Sequence, residues 1–140
     1  MAREMDSGPR NHGNGDRLKV GVVGCGNVAV RRHLPAMGRL SGRFRLCAVA
    51  DPVREARATV SRRGCGIAEF DSGEALIAAG DLDVVVVCSP LPSHASLSIA
   101  ALRAGCHVLC EKPLALTLAE GEEMVSAARQ SEGRFLVGFN

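Results

Sequence analysis

From Leu18 onward, short runs of β-branched residues alternate with longer stretches rich in Ala and Arg. A strand period followed by a helix period, repeated along a chain, is the pattern of a parallel α/β sheet. The apolar runs predict six strands: Leu18 to Val23, Arg45 to Ala50, Ile67 to Phe70, Asp83 to Cys88, His107 to Cys110 and Phe135 to Phe139. Val84, Val85, Val86 and Val87 show no polar alternation, as expected of a central strand covered on both faces. Five helical stretches lie between the strands, and each runs into a glycine: Gly42, Gly64, Gly80, Gly105 and Gly133. Glycine suits the left-handed residue that ends many helices. Asp71 with Glu74, and Thr117 with Glu120, are spaced as capping boxes, and Ser93 is placed to cap the helix over Ala95 to Ala104. Pro35 falls too deep in the first helix to be neutral and predicts a break near Leu34. The fold class read from this pattern is a doubly wound parallel α/β sheet with strand order 3-2-1-4-5-6 and right-handed crossovers. Residues 1–17, polar and rich in Gly and Asn, read as a disordered leader before a single domain over 18–140.

Composition narrows the function. At 140 residues the chain can bury one sizeable core. Lys and Arg number 17 against 15 Asp and Glu, Trp and Tyr are absent and Phe occurs four times. Such a chain offers neither a strong field for phosphate backbones nor aromatic platforms for bases, which argues against nucleic acid as a partner. Cys25, Cys47, Cys65, Cys88, Cys106 and Cys110 are scattered, and Cys47 and Cys88 lie inside apolar runs; all six read as buried thiols of a protein in a reducing cytosol. Only Cys106 and Cys110 stand close together, with no second pair at zinc-ligand spacing, so no metal is expected. The longest apolar run, Val84 to Cys88, is far below the roughly 20 residues of a membrane helix, and no membrane partner is expected.

The chemistry begins directly after the first strand, at Gly24-Cys25-Gly26-Asn27-Val28-Ala29. This is a G-x-G-x-x-A element between a strand and a helix. Gly24 permits a tight turn, Gly26 lets a pyrophosphate approach the backbone and Ala29 lets helix and strand pack closely. Asp51 closes the second strand about 20 residues further on, where a carboxylate accepts hydrogen bonds from an adenosine ribose. Asp51-Pro52 also fits a plain helix start, with Asp51 as N-cap and Pro52 in the first turn. Its charge opposes a 2′-phosphate and favours NAD over NADP, although Arg54, one turn on, can soften the preference.

Three further elements follow in order: Cys88-Ser89-Pro90-Leu91-Pro92-Ser93-His94, Glu111-Lys112-Pro113, and Val137-Gly138-Phe139-Asn140. Together with the glycine loop they resemble the Gfo/Idh/MocA oxidoreductases, the family of glucose-fructose oxidoreductase and inositol dehydrogenase. The resemblance spans Leu18 to Asn140, and Glu-Lys-Pro is its most specific part. It implies an NAD(P)-binding Rossmann domain followed by a substrate domain, of which these residues hold only the first. The chain alone is then expected to be a fragment without turnover. The resemblance also implies that Lys112 sits beside nicotinamide and substrate as the catalytic residue, often next to a cis peptide before Pro113. Ser89, Pro90, His94, Glu111, Lys112 and Pro113 would border the cofactor. The residues themselves leave Lys112 open to a salt bridge with Glu111 or a solvated loop. His94, opening a helix, fits either a neutral hydrogen-bonding role near the cofactor or a histidine that caps its loop. His33 and His107 read as structural, His12 falls in the leader, and Asn140 would border the active site. The expected activity is hydride transfer between a nicotinamide cofactor and a sugar, inositol or similar polyol. The alternative is a stand-alone, non-catalytic nucleotide-binding or regulatory module. Apolar surface beside Phe135 to Phe139 predicts self-association into a homo-oligomer.

Overall fold

The computed structural model describes residues 17–139, so residues 1–16 of the expected leader, with His12, and Asn140 lie outside the described residues. Six parallel strands form one sheet in the order β3-β2-β1-β4-β5-β6. They are β1 (Leu18–Val23), β2 (Phe44–Ala50), β3 (Ala68–Phe70), β4 (Val84–Val87), β5 (His107–Glu111) and β6 (Phe135–Gly138). The helices are α1 (Leu34–Arg39), α2 (Arg54–Ser61), α3 (Gly73–Ala79), α4 (His94–Arg103) and α5 (Leu118–Gln130). A π-helical turn, Ala29–His33, precedes α1, and a 3-10 turn, Leu91–Ser93, precedes α4.

The fourth strand is central because its valines feed two cores. Val85 and Val87 join Leu76, Leu97, Leu102 and Met124 beneath α3, α4 and α5. Val86 turns the other way, to Val22, Ala29, Val49 and Val60 beneath the π-turn and α2. Asp83, expected in β4, lies just before it. Its carboxylate accepts the Lys19 N–H at 2.7 Å while its own N–H donates to Lys19 O at 2.9 Å, so a buried acid latches β1 to the entry of β4.

Several local expectations are corrected. Only Gly80 and Gly105 adopt positive φ at helix ends; after α2 the left-handed residue is Gly66, not Gly64. Gly133 is needed instead for close approach, because a Cβ there would strike the carbonyl of Cys106. The N-cap of α3 is Ser72, whose Oγ accepts the Ala75 N–H at 3.2 Å, so Asp71 with Glu74 forms no capping box. Ser93 precedes α4, but its side chain accepts no N–H of the first turn; its hydroxyl instead donates to Pro90 O at 2.7 Å. Thr117 and Glu120 do form a capping box. Near Pro35 the first helix changes from π to α winding: Leu34 N–H donates to Ala29 O, five residues back. A widened turn ahead of proline accommodates its missing N–H and its ring. The six thiols are free but not all buried; Cys65 is exposed between Gly64 and Gly66, and Cys47 and Cys88 are half-buried. Among the described residues no helix is long and apolar enough to cross a membrane.

Candidate functional site

In a doubly wound sheet a crevice opens where consecutive connections leave in opposite directions, here between β1 and β4. The residues singled out by sequence gather at this edge, at the carboxyl ends of β1, β2, β4 and β5.

The glycine loop leaves β1 under tight control. Gly24 has φ 89°, and a Cβ on it would lie 2.6 Å from the backbone of Cys88 and Ser89. Its N–H donates to Ala50 O at 2.8 Å, and Cys88 N–H donates to Val23 O at 2.7 Å, so the loop is held to both neighbouring strands. At Gly26 the surroundings reverse: nothing lies within 4 Å of where a Cβ would be. Gly26, Asn27 and Val28 are exposed and Ala29 is buried. Val30 N–H donates to Gly26 O at 3.0 Å, so helical bonding begins at the loop itself. Amides of a first helical turn point past such a loop, and an exposed glycine at its apex is the arrangement that admits a pyrophosphate.

Asp51 is not the N-cap of α2, which begins at Arg54 with Val53 preceding it. Its Oδ1 instead accepts the Val53 N–H at 2.8 Å, and its Oδ2 accepts the Cys25 N–H at 2.9 Å. The two bonds tie the end of β2 to the glycine loop and leave one lone pair on each oxygen for a ligand hydroxyl. Arg57, which sequence reasoning missed, donates from Nη1 to Asp51 O at 2.6 Å and lies 3.6 Å from Glu69 by its Nε. Arg54, the residue singled out beside Asp51, is exposed.

At the end of β4, Ser93 donates to Pro90 O, so the 2.6 Å contact between Ser89 and Ser93 has Ser89 as donor. His94 is buried, 2% exposed, with Nε2 2.8 Å from Ser89 O and Nδ1 2.8 Å from Pro113 O. A neutral ring donates to only one of these carbonyls and an imidazolium to both. Either way His94 joins the loop after β4 to the loop after β5, and both ring nitrogens face backbone.

The Lys112–Pro113 peptide is cis. Lys112 is exposed, and its backbone N–H donates to Glu111 Oε2 at 3.2 Å. Glu111 Oε1 lies 2.7 Å from His33 Nε2, so that carboxylate is engaged by the histidine and the Lys112 amide rather than by the Lys112 ammonium. His33, expected to be structural, thus reaches the Glu-Lys-Pro element. No local signal marked it, because Glu111 lies 78 residues away in sequence. His107, expected to be structural, accepts the Arg134 N–H at 2.9 Å.

Three thiols stand at these strand ends and stay protonated. Burial, reinforced by Asp51, raises Cys25 to about 11. Burial, reinforced by Glu111, raises Cys88 to about 12, and burial also raises Cys110.

Residues 18–139 match the oxidoreductase family with an NAD-binding Rossmann fold, Gfo/Idh/MocA. The chain belongs to that family. Gfo/Idh/MocA relatives include an inositol 2-dehydrogenase of Pseudomonas savastanoi pv. phaseolicola, 40% identical over 121 residues, covering 86% of this chain and 35% of the relative. Another is the D-glucoside 3-dehydrogenase of Escherichia coli, 37% identical over 81% of this chain and 32% of its own length. Among solved structures, the WlbA dehydrogenase of Chromobacterium violaceum in complex with NADH and UDP-GlcNAcA is 31% identical with a TM-score of 0.80, over 86% of this chain and 34% of that one. A 3-ketoreductase from Actinomadura kijaniata in complex with NADP and TDP-benzene is 32% identical with a TM-score of 0.78, over 88% and 37% of the two chains. The chain therefore spans about a third of the length of the relatives it matches and corresponds to the NAD(P)-binding domain of the Gfo/Idh/MocA oxidoreductases.

Proposed function

We propose that the chain binds NAD across the carboxyl ends of β1 and β4, as the cofactor half of an oxidoreductase acting on a secondary alcohol of a sugar, inositol or related polyol. The observation that carries this reading is the open space over Gly26, set on a loop whose other glycine is packed against backbone. The cradle fits a dinucleotide: first-turn amides take the pyrophosphate and Asp51 takes the ribose hydroxyls. The same carboxylate opposes a 2′-phosphate, which favours NAD; solved relatives carry NADH in one case and NADP in another. Names of relatives as inositol, glucoside and sugar-nucleotide oxidoreductases support the polyol class over a stand-alone regulatory module.

When bound, the nicotinamide supplies the hydride acceptor for the carbinol carbon. Lys112 follows the end of β5, the strand next to β4, and is exposed; its ammonium can donate to the alcohol or carbonyl oxygen, orienting it and stabilising negative charge there. Ser89 and Pro90 line the loop after β4. His94 holds that loop against Pro113 with both ring nitrogens engaged, and so serves the site by fixing backbone. Calorimetric titration with NAD and NADP tests the reading. NAD should bind the unaltered chain more tightly than NADP, and Gly26→Val should abolish binding; unchanged affinity in that variant would overturn the assignment of the loop.

A further inference from the structure

We propose that His33 is a positioning residue for Lys112, acting through Glu111, and that this relay couples filling of the Gly24–Ala29 loop to the placement of Lys112. The relay has three links. His33 ends the π-turn Ala29–His33, which continues directly from the glycine loop, so its backbone moves with the first turn that would receive phosphate. Its Nε2 lies 2.7 Å from Glu111 Oε1, with both side chains largely enclosed, at 16% and 17% exposure. A carboxylate oxygen can only accept, so Nε2 carries the proton and donates. The other oxygen of the same carboxylate accepts the Lys112 N–H at 3.2 Å.

Gly138 of β6 also stands against the carboxylate, where a Cβ would lie 3.1 Å from Glu111 Oε1 and 3.3 Å from Cδ. Glu111 is therefore enclosed by β6 and pinned by His33, with little freedom to swing away from the Lys112 amide. The π winding contributes as well. An extra residue in the turn changes which side chains share a face of the helix, and it ends at the residue that reaches Glu111. A shift of the loop on binding is transmitted by one helical segment and one hydrogen bond to the backbone that carries the reacting ammonium.

The positioning link stands on the geometry alone; the coupling rests on the dinucleotide reading above. Both are tested on the 140-residue chain, labelled with nitrogen-15, by following the Lys112 amide. Without cofactor, His33→Leu should speed hydrogen exchange at Lys112 roughly five- to tenfold, because the Glu111 carboxylate that accepts the Lys112 N–H loses the hydrogen bond that pins it. His33→Gln, which retains a donor, should keep the exchange slow, and the Val85 amide in the sheet should be unaffected in both. With NAD added, the Lys112 resonance should move in the unaltered chain and in His33→Gln but not in His33→Leu, although NAD still binds there. Should His33→Leu not fold, His33→Asn, polar but too short to reach Glu111, takes its place. Unaltered exchange at Lys112 in the variant lacking the donor overturns the positioning role. An equal NAD response in that variant overturns the coupling. Failure of NAD to bind the unaltered chain overturns the proposed function and the coupling together, while the exchange comparison still decides the role of His33.

Discussion

The carboxylate of Asp51 accepts the backbone N–H of Cys25 at 2.9 Å, so the end of β2 holds the loop that leaves β1. Asp51 thereby shapes the loop, and under the proposed function it has a second task, accepting the ribose hydroxyls. Asp51→Ala removes the acceptor for Cys25 and for Val53 and should cost about 1–3 kcal/mol of stability. It should also weaken NAD binding and narrow the preference for NAD over NADP, because the repulsive charge goes with the side chain. Thermal unfolding and paired titrations with the two cofactors check both effects; tighter binding of NADP than of NAD by the unaltered chain would refute the charge argument.

The two loop glycines should fail in different ways. Gly24→Ala forces a side chain onto φ 89° and into the Cys88–Ser89 backbone, 2.6 Å away, so it should lower stability by about 2 kcal/mol or more. Gly26→Val meets empty space and should leave the unfolding temperature nearly unchanged while eliminating NAD binding. Similar stability losses in the two variants would show that the space over Gly26 is structural.

Capping separates Ser72 from its neighbour. Ser72→Ala removes the acceptor for Ala75 N–H and should cost about 1 kcal/mol, as should Thr117→Ala in the capping box of α5. Asp71→Ala should be nearly neutral by the same denaturant titration.

Alkaline pH should destabilise the chain through its thiols. Cys25 and Cys88 rise on folding from 9.0 to about 11 and about 12, so the folded state holds their protons where the unfolded state has lost them. Their contribution is fully present below pH 9, falls as pH rises through the interval, and is gone above the folded values. Replacing both with Ala should flatten the decline between pH 9 and 11. At neutral pH an alkylating reagent should modify exposed Cys65 first and leave Cys25, Cys88 and Cys110 slow, as read by mass spectrometry of the digested chain.

The 140-residue chain should bind NAD without turning over sugars or inositols. Lys112 is exposed on an open face, where it neither encloses a substrate carbon nor excludes water, and such positioning supplies several kcal/mol of barrier lowering. Reduced cofactor followed by absorbance, with a panel of polyols, checks this; steady turnover would mean that these residues already contain a complete catalytic site.

What the sequence by itself determined is local or strongly patterned. The valine run of β4 required two apolar faces, the alternation of strand and helix periods led to the strand order, and the glycine loop after β1 marked the strand-to-helix turn that packs Gly24 against backbone and leaves Gly26 open. Helix ends were legible only in part. Gly80 and Gly105 end helices in the left-handed region, whereas the need for Gly133 comes from a carbonyl of β5's approach that no local pattern records. Tertiary structure alone decided what Asp51 and His94 touch. It also placed Arg57 behind Asp51 and brought His33 against Glu111. The physical reason is separation: these side chains complete their hydrogen bonds with groups on other elements, and only the folded sheet brings those partners within 3 Å of each other.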